Sequence, residues 1–309
     1  MISWRDIRLE DKEEINRIMG SYSDGTSAGA CGRDDRVGEL CNADYSFTNM
    51  YIWRHEYHTK VSWEDGMLMV GNPHWLMYSY PKGQADVRKA VEFLREDAHA
   101  KDRKLVIRGL TEDTLAKFLP VYGEEFDISE DRNNADYIYT ADKLCNLPGR
   151  KLSAKRNHIN KFERNGDWEF VKITEENIDK ARAFVAKFYL EKGDPELESE
   201  SVAIAEMFEH YEELGFVGGL LYQNGEPVAF SAGTRLCQNC MDVHFEKALP
   251  HVEGAYTMIN REFARMVVAE YPEIEYFNRE EDMGLEGLRK AKLSYHPDVL
   301  LMKYFAREK

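Results

Sequence analysis

Two stretches of the chain place short apolar runs on either side of a tight-turn signal. Val61-Ser62-Trp63 and Met67-Leu68-Met69-Val70 flank Glu64-Asp65-Gly66, and Gly219-Leu220-Leu221-Tyr222 and Pro227-Val228-Ala229-Phe230 flank Gln223-Asn224-Gly225-Glu226. Asp-Gly and Asn-Gly suit a two-residue connection because both residues tolerate positive φ, so each stretch predicts a β-hairpin. After the first hairpin, an apolar stripe through Val87, Val91 and Leu94 predicts a helix from about Gln84 to Lys101. A strand Leu105 to Ile107, a helix Thr111 to Leu119 and a strand Tyr137 to Tyr139 follow. After the second hairpin, a stripe through Tyr256, Ile259, Phe263 and Val267 predicts a helix from about Gly254 to Glu270. It leads into a strand Ile274 to Phe277, a helix Leu285 to Leu293 and a strand Val299 to Phe305.

The two halves also begin alike, with a strand (Ser3 to Leu9; Trp168 to Ile173) running into a helix (Glu10 to Ile18; Thr174 to Tyr189) whose start is acidic. Asp65 and Asn224 are 159 residues apart in a chain of 309, which points to a duplicated unit. The layout is α/β (α+β), each half a mixed, partly antiparallel sheet flanked by helices, with domains at 1–145 and 146–309. With 43% apolar residues, each half can build its own core.

The layout and three local segments resemble the DUF2156 proteins, relatives of the C-terminal domain of phosphatidylglycerol lysyltransferase built from two tandem acyl-CoA N-acyltransferase (GNAT-type) folds. The segments are Ser46 to Arg54 (SFTNMYIWR), Leu147 to Ile159 (LPGRKLSAKRNHI), and Asn278 to Gly284 (NREEDMG) continuing through Leu288-Arg289-Lys290-Ala291-Lys292 to Tyr295-His296-Pro297. The resemblance implies transfer of an acyl or aminoacyl group from acyl-CoA or aminoacyl-tRNA. It also suggests a lipid-headgroup acceptor, although the most apolar windows are far below the ~20 residues needed to span a bilayer.

Charge sharpens this picture. The net charge of −15 excludes indiscriminate binding to DNA or anionic membranes. Between Arg150 and Arg164, however, six cations stand against Glu163 alone, so this segment is +5 and the remainder −20. Leu152, Ile159 and Phe162 share one face of a predicted helix, which leaves Lys151, Lys155, Arg156 and His158 to meet solvent or a polyanionic donor such as tRNA. In GNAT-type folds a coenzyme pyrophosphate sits at the helix start that here reads His251-Val252-Glu253-Gly254-Ala255, so His251, Gly254 and Ala255 are further donor-binding candidates. Glu253 opposes that role.

For the chemistry, Glu280 or Asp282 at a strand end could take a proton, and Lys290 or Lys292 could stabilise an oxyanion; structural ion pairing is the competing account. Tyr295, His296 and His244 are additional acid–base candidates, with alternation placing His244 and Glu246 on one strand face. The five cysteines (Cys31, Cys41, Cys145, Cys237, Cys240) are scattered, as expected of a reducing cytoplasm, and Cys237-Gln238-Asn239-Cys240 reads as a hairpin turn rather than a metal site. No P-loop, dinucleotide fingerprint or nucleophile elbow is present. The expected protein is a cytoplasmic acyltransferase without tightly bound cofactor or metal. It would move an acyl or aminoacyl group by direct attack to a small-molecule or lipid-headgroup amine or hydroxyl. Its active site would lie in the second half, and the first half would be a degenerate copy. The alternative is a non-catalytic RNA- or anion-binding module on the same fold.

Overall fold

The computed structural model describes residues 2–21, 41–84, 86–192 and 198–309; Cys31 lies outside them. In the first half, β1 (Arg5–Asp6), α1 (Lys12–Met19) and α2 (Phe47–Ile52) precede the hairpin β2 (Lys60–Glu64) and β3 (Met67–Asn72). Then come β4 (Met77–Ser79), β5 (Lys82–Gly83), α3 (Val87–His99), β6 (Val106–Leu110), α4 (Glu112–Tyr122), β7 (Phe126–Glu130) and β8 (Asp136–Thr140). The halves are joined by α5 (Ala141–Asn146) and the basic helix α6 (Ser153–Arg164). The second half contains β9 (Trp168–Lys172), α7 (Ile178–Lys192), α8 (Glu198–Glu209), β10 (Val217–Gln223), β11 (Glu226–Cys237) and β12 (Cys240–Ala248). It ends with α9 (Ala255–Glu270), β13 (Tyr276–Asn278), α10 (Glu286–Leu293), β14 (Val299–Leu301) and β15 (Tyr304–Glu308).

Both hairpins form at the expected residues. Asp65 and Gly66 have φ of 48° and 76°, and Asn224 and Gly225 have φ of 52° and 82°, so each connection uses two left-handed residues. Helix α9 buries Met258, Ile259, Phe263, Ala264 and Val267, whereas Tyr256, predicted on the same stripe, is 43% exposed at the edge of that face. One apolar cluster joins Ile15, Phe47 and Val61 of the first half to Phe230, Phe263 and Phe277 of the second. A separate cluster packs α3 and α4 against the first sheet through Leu94, Phe118 and Phe126.

The two sheets exchange strands. Among the described residues the first runs β1-β2-β3-β4-β6-β15-β7, with β5 beside β3, and the second runs β14-β8-β13-β12-β11-β10-β9. The strand Tyr137 to Tyr139, placed by order in the first half, is therefore β8 of the second sheet, between β13 and β14. The run Val299 to Phe305, read as one strand, divides: β14 stays in the second sheet, and β15 crosses to the first, between β6 and β7. Sequence order shows that strands exist, but pairing depends on distant backbone edges, and each half contributes an inner strand to the sheet of the other.

Lys303 lies at the crossing and is 1% exposed. Its Nζ is 3.0 Å from Asp44 Oδ1 and 2.8 Å from Asp136 Oδ1. Burial works against its charge, but Asp136, Asp44 and Glu281 outweigh that and raise its pKa. The scattered cysteines predict free thiols, which holds for Cys145 and Cys240; Cys41 and Cys237 are disulfide-bonded in a buried cluster with Ile138 and Leu236, brought together by the same packing.

Candidate functional site

β12 and β13 pair in parallel only from Cys240↔Tyr276 to Asp242↔Asn278. Beyond Asp242, β12 continues to Ala248 while the chain after Asn278 stays bonded to β8 through Arg279 N and Glu280 O, so the ladder between β12 and β13 ends there and side chains occupy the gap. A bulge in β12 interrupts the alternation expected there: Asp242 pairs with Thr234 and Glu246 with Ser231, so Asp242 and His244 share the face of Thr234, while Glu246, predicted on the same face as His244, turns to the opposite face and accepts from Asn260 of α9. The groups across the gap come from the loop after β13: Arg279 NH2 donates to Glu246 Oε1 at 2.8 Å, and Glu280 Oε1 lies 3.0 Å from His244 Nδ1. Glu280 Oε1 also accepts from Asn49 Nδ2 at 3.0 Å, so α2 of the first half reaches the site.

On the other nitrogen of the buried His244 ring, Nε2 is 2.8 Å from Thr234 Oγ1. Thr234 is the register partner of Asp242, and the bulge of Val243 and His244 in β12 opposite Gly233 brings His244 to it. Glycine is required there because a Cβ would lie 2.1 Å from Asp242 O. Thr234 lines a cavity of about 200 Å³ together with Asn16, Ser46, Thr48, Phe216 and Met241. Both carboxylate oxygens of Asp242, a fully buried residue, lack a hydrogen-bond partner; burial, reinforced by Glu280 and Asp136, pushes its pKa well above the usual range. Burial likewise pushes Glu281 up to about 7, with Glu280 and Asp136 adding to the effect against Lys303. Asp242, His244 and Glu280 each offer a polar atom within 4.8 Å of the others.

Of the predicted catalytic residues, the structure brings Glu280 and His244 together. Asp282 lies elsewhere: it is fully buried and accepts from Arg289 Nε and NH2, Arg132 NH1, Tyr137 Oη and the Gly284 amide. Burial opposes its charge, but these donors hold its carboxyl well below the usual range, which leaves it no basicity for proton abstraction. Lys292 is buried and donates to the carbonyls of Arg279 and Glu281, so it holds the loop rather than an oxyanion. Lys290 is exposed on α10. His296 is exposed with φ of 52°, at a turn. Tyr295 is buried; burial pushes its hydroxyl up to about 12.

The basic helix divides between two roles. Lys155 Nζ sits 3.9 Å from the Tyr295 ring centroid, and Arg279 lies 5.0 Å from the same ring. Burial, with the Arg279 charge adding, lowers Lys155 to about 8. Arg156 instead donates to the carbonyls of Leu147 and Gly149, which ties down the turn before α6. Lys151, His158 and His251 are exposed. Gly254 has φ of 85°, and a Cβ there would lie 2.3 Å from His158 O. Helix α6 therefore packs directly on the residue beside Ala255 at the start of α9.

Sequence reasoning missed Thr234, Asn49, Asp242, Glu281 and Arg279. The alternation that selected His244 also selects Asp242, but the contributions of Thr234 and Asn49 arise only from the bulge and from packing between the halves.

Comparison with known proteins places this geometry. A crystal structure of a conserved protein of unknown function from Bacteroides thetaiotaomicron VPI-5482 is 36% identical over 100% of both chains, with a TM-score of 0.85. The DUF2156 C-terminal domain of a protein assigned as lysylphosphatidylglycerol synthetase from Agrobacterium fabrum superposes with a TM-score of 0.60 at 12% identity, over 86% of this chain and 87% of that one. A tandem GNAT protein from the clavulanic acid biosynthesis pathway gives 0.50 at 10% identity, over 99% and 98%. These last two likenesses show the fold, two tandem GNAT-like units. An uncharacterized protein of Mycoplasmoides gallisepticum is 23% identical over 181 residues, a match that spans 57% of this chain and only 56% of that protein. No helix among the described residues is long and apolar enough to cross a membrane. The family described as phosphatidylglycerol lysyltransferase, C-terminal, matches residues 38–307, and the chain belongs to that family.

Proposed function

We propose that this protein is an aminoacyltransferase that takes an aminoacyl ester from tRNA and transfers it to an amine or hydroxyl acceptor in the gap between β12 and β13. The observation that carries this reading is the His244–Glu280 pair spanning the gap, a base with its orienting carboxylate. Arg279 NH1, buried and without a hydrogen-bond partner, takes the role first assigned to Lys290 and Lys292, donating to the oxygen that gains charge as the carbonyl is attacked. Lys155 at the foot of α6, with the exposed Arg150, Lys151 and Arg164, offers the polyanion its contacts. The packing of α6 on Gly254 supports tRNA over acyl-CoA, because it covers the helix start at which the resemblance to GNAT-type folds puts a coenzyme pyrophosphate.

The test is binding of aminoacylated tRNA across a salt series, followed by transfer assays with amines, hydroxyl compounds and phosphatidylglycerol vesicles. Glu280→Gln should lower turnover by ~10²-fold or more and leave donor affinity nearly unchanged. Tight binding of acyl-CoA with no binding of charged tRNA at low salt refutes the donor assignment. Equal turnover in Glu280→Gln removes the pair from the mechanism.

A further inference from the structure

The last turn of α8 and the turn that follows it carry a group of side chains the transfer reaction does not use. Glu206, Glu209 and His210 stand at i, i+3 and i+4, so they share one face of the helix end. Each offers a ligand atom, and these atoms all lie within 4.8 Å of one another. Glu213 Oε2 is 3.3 Å from His210 Nδ1, and an exposed carboxylate at neutral pH only accepts, so the ring proton sits on Nδ1 and Nε2 carries the lone pair. That lone pair faces Glu206 Oε2 at 4.0 Å, too far for a hydrogen bond. Tyr51 meets the imidazole edge-on at 5.8 Å. The other Glu206 oxygen is committed to the first half: Oε1 accepts from Arg54 NH2 at 2.8 Å and lies 3.3 Å from His55 Nε2. Two carboxylates and an imidazole lone pair brought together have no proton to share, and a cation among them relieves the repulsion.

We propose that the end of α8 binds a divalent transition-metal ion, with Glu206 Oε2, the Glu209 carboxylate and His210 Nε2 as ligands and solvent in the remaining positions. The site lies apart from the gap between β12 and β13 and does not depend on the transferase reading. Zinc–ligand bonds of about 2.0–2.2 Å place ligand atoms up to ~4 Å apart, so rotation of the exposed Glu209 side chain closes the set. Glu213 is the outer carboxylate that fixes the imidazole tautomer and ring orientation. An imidazole in the donor set suits Zn²⁺ over Mg²⁺, which prefers oxygen and keeps its water. The ion also strengthens the contact between the halves. It holds Glu206, whose Oε1 holds Arg54 just after α2, the helix that sends Asn49 to Glu280.

The test titrates Zn²⁺ into the full chain, untagged and treated with a chelator, by calorimetry. One ion should bind with micromolar affinity, and Zn²⁺ at about 100 times its dissociation constant should raise the melting temperature by ~5–10 °C. Millimolar Mg²⁺ should not displace it. His210→Ala and Glu209→Gln should each weaken binding by ~100-fold or more, and Glu213→Gln, which only loosens the imidazole, by ~10-fold. Glu212→Gln, exposed in the same turn, should bind as the wild type does. If His210→Ala does not fold, Glu209→Gln decides alone, because that side chain is exposed. No Zn²⁺ binding, full-strength binding in Glu209→Gln, or an equal loss in Glu212→Gln overturns the proposal. Loss in His244→Ala with retention in Glu209→Gln puts the ion in the gap and overturns it as well.

Discussion

Replacing Lys303 by Met tests the strand exchange and the charge balance at its centre together. The side chain is 1% exposed and lies between two carboxylates at 3.0 and 2.8 Å, so the substitution removes the counter-charge of Asp44 and Asp136 while keeping a similar volume. Removing one partner from a buried ion cluster costs about 3–5 kcal/mol, because the remaining charges stay desolvated. At about 2–4 °C per kcal/mol, the melting temperature should fall by ~6–20 °C. Urea denaturation should show a lower midpoint with an unchanged slope. The pH dependence provides the sharper check. Burial already raises the Asp136 pKa, and loss of Lys303 raises it further. A carboxyl whose folded pKa lies above its unfolded value destabilises the fold at high pH, and the penalty disappears as pH falls below the unfolded value near 4. The wild type shows the same trend to a smaller degree, because Lys303 holds the Asp136 pKa below the value it reaches in the variant. The gap between wild type and Lys303→Met should therefore narrow steadily from pH 7 to pH 4, and Asp136→Asn should restore part of the loss in the Lys303→Met background. A gap that stays constant or widens toward pH 4, or no coupling between the two substitutions, would refute this account of the crossing.

Asp282→Asn should cost ~3 kcal/mol at pH 7 by stripping charge from a carboxylate bound to Arg132 and Arg289. Because the folded pKa of Asp282 is depressed, its contribution exists above the unfolded value near 4 and fades below it, so chemical denaturation at pH 7 and pH 3 should give a large and a small difference respectively. Lys155→Met should stabilise the protein by ~1–2 kcal/mol at pH 7, since a folded pKa of about 8 against a usual 10.5 means the fold disfavours the ammonium and partial exposure screens the effect. That gain should vanish as pH rises from about 8 to 10.5, while affinity for charged tRNA falls at every salt concentration. Gly254→Ala should cost at least ~2 kcal/mol from its left-handed backbone and the clash with His158 O, and limited proteolysis should cut α6 faster; an unchanged melt would separate α6 from α9.

The readable parts of this chain are those fixed within a few residues. Asp65-Gly66 and Asn224-Gly225 make turns wherever they occur between strands, and the α9 stripe announces its buried face. Alternation along β12 does not put His244 and Glu246 together, because a bulge set by distant pairing with β11 turns them to opposite faces. Asp282 shows the limit. A base and a salt-bridged carboxylate look identical in sequence, and what separates them here is Arg132, 150 positions away, with Arg289 on α10. The crossing carried a signal that went unread: Lys303 interrupts the apolar run from Val299 to Phe305, and a lysine inside such a run requires buried carboxylates from elsewhere.

The crossing is also what makes the gap rigid. Lys303 binds Asp136, whose other oxygen accepts from Asn278 Nδ2 at 2.9 Å. Asn278 is the last paired residue of β13, and its Oδ1 accepts the Glu280 amide at 2.7 Å, holding Glu280 at φ of 54° so that its carboxylate faces His244. A non-glycine residue keeps that backbone only when its surroundings over-determine it. The orientation of Glu280 is thus set through a strand exchanged between the two halves. The first half supplies Asn49, Asp44 and Asp136 to the site of the second.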